Sequence, residues 1–497
     1  MSKATAIIDI GSNSARLVIY QASSRYGFHL ICEKKSKVRI GEGAYEKGGY
    51  LQPIGVKRAY FALSEFISTI KLYNVGKILC VATSALRDAP NGLEFTKWIK
   101  DKLDLNIKII DGKLEAKYGA IATLNLLPIE SGITIDIGGG SSDLALIKNS
   151  KIVDTYSLNI GTVRLKELFF DKNRPLQEAK DFVKQELKKL PPSFKDTKAI
   201  GIGGTARTVA KAIMKKIEYP LDKLHAFSFN LKDEYEFISN ITIANRTLLP
   251  YLYISKGRFD TIREGTLIFQ EILDFIGAKS VITSGVGVRE GVFLNEFLKN
   301  DNLQFPKEIN PSITSILDRF QIDSFHTQKA KESAREIFNL FKENKKIKEK
   351  YFKTLINAIE ITPIGYTFNI YKSYQHAFYA TMQEFNYRVT HEEIILTALL
   401  LRFGGKELYD KETYKKYKSL LPHKKELEIL SFIYSISTSL HENSSIENFD
   451  FELENNILTI KTDNSLYLAK EKLQDIEKPN GLKLNIIDVQ KVPLYNF

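Results

Sequence analysis

Two stretches of this sequence, Asp9-Ile10-Gly11-Ser12 and Asp136-Ile137-Gly138-Gly139, set a carboxylate and then small residues at the end of an apolar run. A strand that ends this way and turns straight back lines up backbone N–H groups at the turn, where small residues let an anion come close. Ser12, Asn13 and Ser14 would cradle phosphate in one loop, and Gly138, Gly139, Gly140 and Ser141 in the other. Asp9 and Asp136 are poor direct partners for phosphate, but good ones for a hydrated cation lying between carboxylate and phosphate. Hairpin turns with acidic caps use the same residue types. Asp143 stands seven residues after Asp136 at the start of the returning strand, either facing the same cation or as a plain surface acid. No His or Cys cluster offers a transition-metal site, which leaves an oxygen-liganded hard cation, Mg²⁺ or Mn²⁺.

Glu115 lies where a strand gives way to a helix, in Ile110-Asp111-Gly112-Lys113-Leu114-Glu115. A carboxylate held there can take a proton from water, or simply complement the positive end of the helix. Arg16, Arg39 and Arg87 lie in or beside loops of the same region, and the guanidinium fork suits phosphate oxygens. Two more glycine turns follow apolar strands, at Gly201-Ile202-Gly203-Gly204-Thr205 and Ser284-Gly285-Val286-Gly287. Strand-to-helix turns of this kind favour anions. The first also fits G-x-G-x-x-A through Ala206, a weak dinucleotide signature, and no Walker A sequence is present.

The elements that must position these residues follow from the pattern. Strands are expected over Ala4 to Tyr20 and Ile31 to Ile40 with a turn at Ser23 to Gly27, then a helix over Gly55 to Tyr73, a strand over Lys77 to Ala82 and a helix over Gly92 to Lys102. The order then restarts. Asp9, Gly11, Ser14 and Leu17 align without a gap with Asp136, Gly138, Ser141 and Leu144, and each copy runs on through a second strand to Val38-Arg39 or Val163-Arg164. That recurrence is read as an internal duplication. Beyond about residue 300 come Lys/Glu-rich helices, from near Ile313 and through Gln328 to Lys353, continuing to about Glu442. A hairpin over Phe451 to Lys461, a helix over Leu468 to Ile476 and a strand over Leu482 to Val489 complete the pattern.

Composition narrows the class. With 497 residues, 43% hydrophobic and 26% charged, the chain should form three or four ordinary globular units. A net charge of +12 points to a polyanionic partner, whether nucleic acid, anionic membrane or phosphorylated metabolite, or else to a lysine-rich solvated surface. Cys32 and Cys80 both sit in apolar stretches, which argues against a disulfide framework. With no signal peptide and no bilayer-length apolar run, a cytoplasmic protein is expected.

The duplicated Asp-Ile-Gly loops resemble the sugar kinase, heat-shock and actin superfamily. The finer resemblance is to the exopolyphosphatase and guanosine pentaphosphate phosphatase family. It rests on Ile8 to Ser14, Ala82-Thr83-Ser84-Ala85-Leu86-Arg87-Asp88-Ala89, Gly112 to Lys117, Asp136 to Asp143, Gly161-Thr162-Val163-Arg164-Leu165 and Gly287-Val288-Arg289-Glu290-Gly291, in family order. This implies an α/β fold of two duplicated actin-like (ribonuclease H-like) domains, 1–124 and 125–305. An all-helical HD-like domain over 306–445 and a small α/β C-terminal domain over 446–497 would follow. The implied reaction is hydrolysis of the terminal phosphoanhydride of inorganic polyphosphate, or of the 5′-terminal phosphate of pppGpp, between the two actin-like domains. Glu115 would be the general base, Asp136 and Asp143 would hold Mg²⁺, and Arg16, Arg39 and Arg87 would keep the phosphate chain in line. A homodimer is implied, with no specific nucleic acid and no membrane as partner.

The chain departs from the family pattern at Leu114, where a second acid is usual, and at Asp143, where Glu is favoured; Glu115 would then act alone. In Leu355 to Glu360, which corresponds to the metal-binding helix of HD domains, there is no His, and His376 stands alone. A polyanion channel or dimer interface is the expectation for that region. A sensor of polyphosphate or alarmone without catalysis is the alternative from another class, and the presence of Glu115 argues against it.

Overall fold

The computed structural model describes residues 4–44, 47–323, 325–404, 410–441, 449–463 and 465–488. The chain divides into two compact units, Met1–Pro311 and Ser312–Phe497.

The first half of the first unit begins with β1 (Ala4–Ile10), β2 (Ala15–Ala22) and β3 (Phe28–Ser36), an antiparallel meander turning at the expected Ser23 to Gly27. Next come α1 (Pro53–Lys71), β4 (Val75–Ala82), α2 (Ser84–Arg87), α3 (Gly92–Leu103), β5 (Ile107–Ile109) and α4 (Gly112–Leu126). α1 has Pro53 in its first turn, where the missing N–H costs nothing, and buries Ala59, Ala62, Phe66 and Ile70 along one stripe. The second half repeats the scheme with β6 (Gly132–Ile137), β7 (Ser142–Lys148), β8 (Lys151–Leu158), α5 (Thr162–Leu165), α6 (Leu176–Leu187), β9 (Lys198–Ile202) and α7 (Gly203–Lys216). It ends with β10 (Ser228–Asn230), α8 (Leu231–Ile243), α9 (Ile262–Ile276), β11 (Ser280–Thr283) and α10 (Val288–Phe297).

The two sheets share one order. The first runs β3-β2-β1-β4-β5, and the second runs β8-β7-β6-β9-β11 with β10 added at the edge. In each, the meander pairs antiparallel and the two following strands pair parallel to the first. This is the architecture expected of a duplication. β1 and β6 are central strands with near-continuous apolar runs, so their acids at the carboxyl ends stand where loops from both sides converge. α4 leaves the first half and packs on β7 and β8 and on α10, while α10 in turn packs on β1, so the halves interlock.

In the second unit, helices Pro311–Arg319, Phe325–Glu343, Phe352–Ile361, His391–Phe403 and Lys424–Leu440 enclose a core that includes Phe338, Leu355, Leu400 and Ile433. The helices expected from near Ile313 through Gln328 to Lys353 are present, with a break after Glu343 where Lys345 takes a left-handed φ of 54°. The Lys/Glu pattern conceals this break, because the same residues suit helix and solvent-exposed turn alike. The tail forms strands Asp450–Glu454, Ile457–Lys461 and Lys483–Ile487 and helix Tyr467–Asp475, and its Leu458, Ile460 and Leu473 join the same core as the helices. Glu442 and Val489, the expected ends of two elements, lie outside the described residues.

Candidate active site

Both glycine loops close with the same hydrogen bond. Gly11 N donates to Ser14 O at 3.1 Å, and Gly138 N donates to Ser141 O at 2.9 Å. The Val-Arg segments that recur in the sequence buttress them: Arg39 N donates to Asn13 O at 3.0 Å, and Val163 N and Arg164 N donate to Gly139 O at 2.8 and 3.1 Å. Arg39 adopts φ 45°, a conformation that costs a non-glycine residue energy and is often kept at functional sites. The loops meet each other. A Cβ on Gly139 would fall 2.7 Å from Ser12 Cβ, so only glycine lets the second loop come this close to the first.

Around them opens a cavity of about 590 Å³. Asp9, Ser12, Asn13, Ser14, Arg16, Arg39, Glu115, Asp136, Gly138 and Gly139 of the residues expected at the site line it. Arg87, Gly140, Ser141 and Asp143 are not part of its wall. Arg87 instead holds Glu115: its Nη1 donates to Glu115 Oε2 at 3.2 Å and to Ile110 O at 3.1 Å, and its Nη2 donates to Ser141 Oγ at 3.3 Å. Ser141 Oγ donates to Asp143 Oδ2 at 3.3 Å, while Asp143 Oδ1 is buried with no hydrogen-bond partner. Glu115 is presented from the first turn of α4, which Asp111 caps by accepting from Leu114 N at 2.7 Å.

Crowded acids make this a charged centre. Burial, then Asp143, Asp136 and Asp9, push the Glu115 carboxyl well above the ordinary range against the pull of Arg87. Burial raises Asp143 to about 7, with Asp136 adding to it and Ser157, Arg87 and Ser141 opposing. Burial likewise lifts Asp136 to about 6, opposed chiefly by Arg207. Gly203, at φ 77°, makes room for Asp136, whose Oδ1 lies 2.2 Å from where a Cβ would be.

The wall also carries cations that the sequence reading did not single out: Lys35, Lys37, Arg207, Arg258 and Arg289. Arg207 donates to Ser284 O and Val286 O at 2.8 and 3.1 Å, while Arg289 shares Glu33 with Arg16. Arg258 Nε is buried without a hydrogen-bond partner. The block Gly287 to Gly291 and the Gly-Gly-Thr-Ala-Arg turn were the available signals for Arg289 and Arg207. Lys35, Lys37 and Arg258 had none beyond the positive balance. Glu290 anchors this side: burial would raise its carboxyl, but Arg289, Arg207, the Gly287 N–H and the Tyr20 hydroxyl together hold it below the usual range.

A cation-walled cleft with buried acids, set between two copies of one fold, is a site for handling phosphate. The chain belongs to the Ppx/GppA phosphatase family, whose model matches residues 18–300, more than half of its length. It is 32% identical over 296 residues to the bifunctional 3-dehydroquinate synthase/phosphatase of Fusobacterium nucleatum, covering 56% of this chain and 44% of that protein. The chain thus spans less than half the length of that relative. It is 26% identical to exopolyphosphatase 2 of Mycobacterium tuberculosis (54% of this chain, 89% of the relative). It is 24% identical to the guanosine-5′-triphosphate,3′-diphosphate pyrophosphatase of Aeromonas hydrophila (75% of each). The last two names are those of phosphoanhydride hydrolases. The crystal structure of the Ppx/GppA family member of Aquifex aeolicus superposes with a TM-score of 0.52 at 27% identity, over 60% of this chain and 99% of that one, and such neighbours share the actin-like fold. Among the described residues no helix is long and apolar enough to cross a membrane.

Proposed function

We propose that the chain hydrolyses the terminal phosphoanhydride of inorganic polyphosphate, with Glu115 as general base. The observation that carries this reading is Glu115 itself, a carboxylate of raised basicity held by Arg87 at the wall of a cavity lined with Lys and Arg. The loops at Ser12 to Ser14 and at Gly139 offer backbone N–H groups to the terminal phosphoryl oxygens. Arg16, Lys35, Lys37 and Arg258 line a path for the rest of the chain. Water positioned by Glu115 attacks the terminal phosphorus while its proton passes to the Glu115 carboxylate. The P–O bond to the next phosphate breaks, leaving its electron pair on the shortened chain.

The donor set fits a hard divalent cation. Asp9 and Asp136 line the cavity, and buried Asp143 Oδ1 lacks a hydrogen-bond partner, so negative charge is left for a cation to neutralise. Among the described residues no three acids converge closely enough to enclose a metal, and Mg²⁺ commonly completes its shell with water and substrate oxygens. Asp136, with Asp9 and Asp143, would hold Mg²⁺, which supplies charge neutralisation on the phosphoryl group. The same reading makes the enzyme cytoplasmic and homodimeric, and takes the helices of the second unit as an HD-like fold without a catalytic metal.

A second reading is removal of the 5′-terminal phosphate of pppGpp. One observation favours it: the match to the Aeromonas protein takes in 75% of the chain, against 54% for the Mycobacterium exopolyphosphatase. Phosphate release from long-chain polyphosphate and from pppGpp, measured side by side with Mg²⁺, decides between them. A kcat/KM at least about tenfold higher for polyphosphate supports the first reading, the reverse supports the second, and release from neither sinks both.

A further inference from the structure

Four side chains of alternating charge run back from the cavity wall at Glu115 and join the two halves of the first unit. Arg164, on α5 of the second half, donates from Nη2 to Asp88 Oδ2 at 3.0 Å; Asp88 lies just beyond α2 of the first half. Asp88 Oδ1 stands 3.7 Å from Arg87 Nε, and Arg87 Nη1 reaches Glu115 Oε2 at 3.2 Å. The four side chains are between 12% and 32% exposed, so solvent screens them less than it would a surface pair.

Arg164 and Arg87 also grip neighbouring residues of one glycine loop. Arg164 Nε donates to Gly140 O at 3.0 Å, and Arg87 Nη2 donates to Ser141 Oγ at 3.3 Å. A guanidinium is planar, so contacts at Nε, Nη1 and Nη2 together fix the orientation of Arg87 as no single contact could. Neither Arg164, Asp88 nor Arg87 lines the cavity.

We propose that Arg164 and Asp88 are positioning residues: they hold the Arg87 guanidinium, and through it the Glu115 carboxylate, against the 138–141 loop, so that the base is in place only while the two halves keep this register. The proposal rests on the reading of Glu115 as general base. A base displaced by a fraction of an ångström loses rate without losing substrate affinity.

The test uses the full chain with Arg164→Ala, Asp88→Ala and the double variant, read by kcat and KM and by amide hydrogen exchange without substrate. Each single variant should lower kcat about 10- to 100-fold with KM within about twofold. The double variant should be no slower than the slower single, because both break one connection. Arg164→Lys, which keeps the charge but not the fork, should fall between wild type and Arg164→Ala. Exchange should rise in residues 84–88 and 112–118 of Arg164→Ala, far along the chain from the substitution. A raised KM with unchanged kcat, multiplying losses in the double variant, or exchange changes confined to residues 138–166 would each overturn the proposal. The exchange readout needs no turnover: if the wild type released phosphate from neither substrate while exchange still spread to residues 112–118, the functional reading would fail and the positioning link would stand.

Discussion

Asp136 faces Asp143 across β6 and β7, and the matching register of the first sheet sets Asp9 opposite Arg16. The duplication therefore keeps the position and inverts the charge. Two buried acids face each other in the second half, each raised by burial. In the first half burial also raises Asp9, but Arg289 and Arg16 oppose the rise. The two loops began as equivalents in sequence, yet the second offers the acid-rich side that draws a cation, and the first offers the side that tolerates an anion.

Replacing Glu115 by Gln keeps its shape and removes its basicity. Steady-state phosphate release should show kcat lower by about 10²- to 10⁴-fold and KM within a few-fold of wild type. Turnover equal to wild type would show that another group takes the proton.

The pH profile tests the repulsion between two carboxylates. After burial, Asp143 contributes most to raising Glu115. As the proposed general base Glu115 would work when deprotonated, so activity should be lost as pH falls through its raised pKa. Asp143→Asn removes the neighbouring negative charge, lowers that pKa and should move the acidic limb of kcat/KM to lower pH. If Asp143 also helps to hold Mg²⁺, the same variant needs more Mg²⁺ for half-maximal rate. A limb that stays in place would separate the two acids.

Lys35 stands among other cations of the wall. Burial lowers its pKa, and repulsion from Arg16, Arg258, Lys37 and Arg289 lowers it further. A polyanion relieves that repulsion, so Lys35→Ala combined with Lys37→Ala should raise the KM for polyphosphate by about tenfold with kcat within about twofold. The rise of KM with added salt should be flatter in the variant than in wild type. An unchanged KM would remove these lysines from the substrate path.

The second unit carries its own pH dependence. His441 is buried, its Nε2 lies 2.8 Å from Ser333 Oγ, and its Nδ1 has no hydrogen-bond partner. Burial, then Lys329, pushes the imidazole down to about 4 against the pull of Glu332. The folded state thus binds fewer protons than the unfolded one between about pH 4 and 6.5. Stability from this group is full above about 6.5 and is lost as pH falls toward 4, by up to about 3 kcal/mol at 1.36 kcal/mol per pH unit. Urea melts at pH 7 and pH 5 should differ more for wild type than for His441→Gln. Equal differences would show that other groups set the acid sensitivity.

The placement of Glu115 was legible because it depends on neighbours in the chain: an apolar strand, the Asp111 cap and the first turn of α4 lie within a few residues of it. The glycine loops were legible for the same reason, since Gly11–Ser14 and Gly138–Ser141 close on themselves. The helix break after Glu343 was not, because Lys, Glu and Asn leave helix and turn close in energy until packing decides. Lys35 and Lys37 were not singled out, and nothing local says that β3, which holds Lys35 and ends just before Lys37, brings them to the cavity.

By itself the sequence determined two glycine turns, their duplication and a carboxylate poised at a helix start, all of them matters of short-range backbone geometry. Only the tertiary structure decided that the loops touch at Ser12 and Gly139. It alone set Arg87 behind Glu115 rather than on the cavity wall, and gathered Arg207, Arg258 and Arg289 around the same space. Those relations join residues from different sheets and helices. Strand register and the packing of α4 and α10 between the halves set them, and no local spacing encodes either.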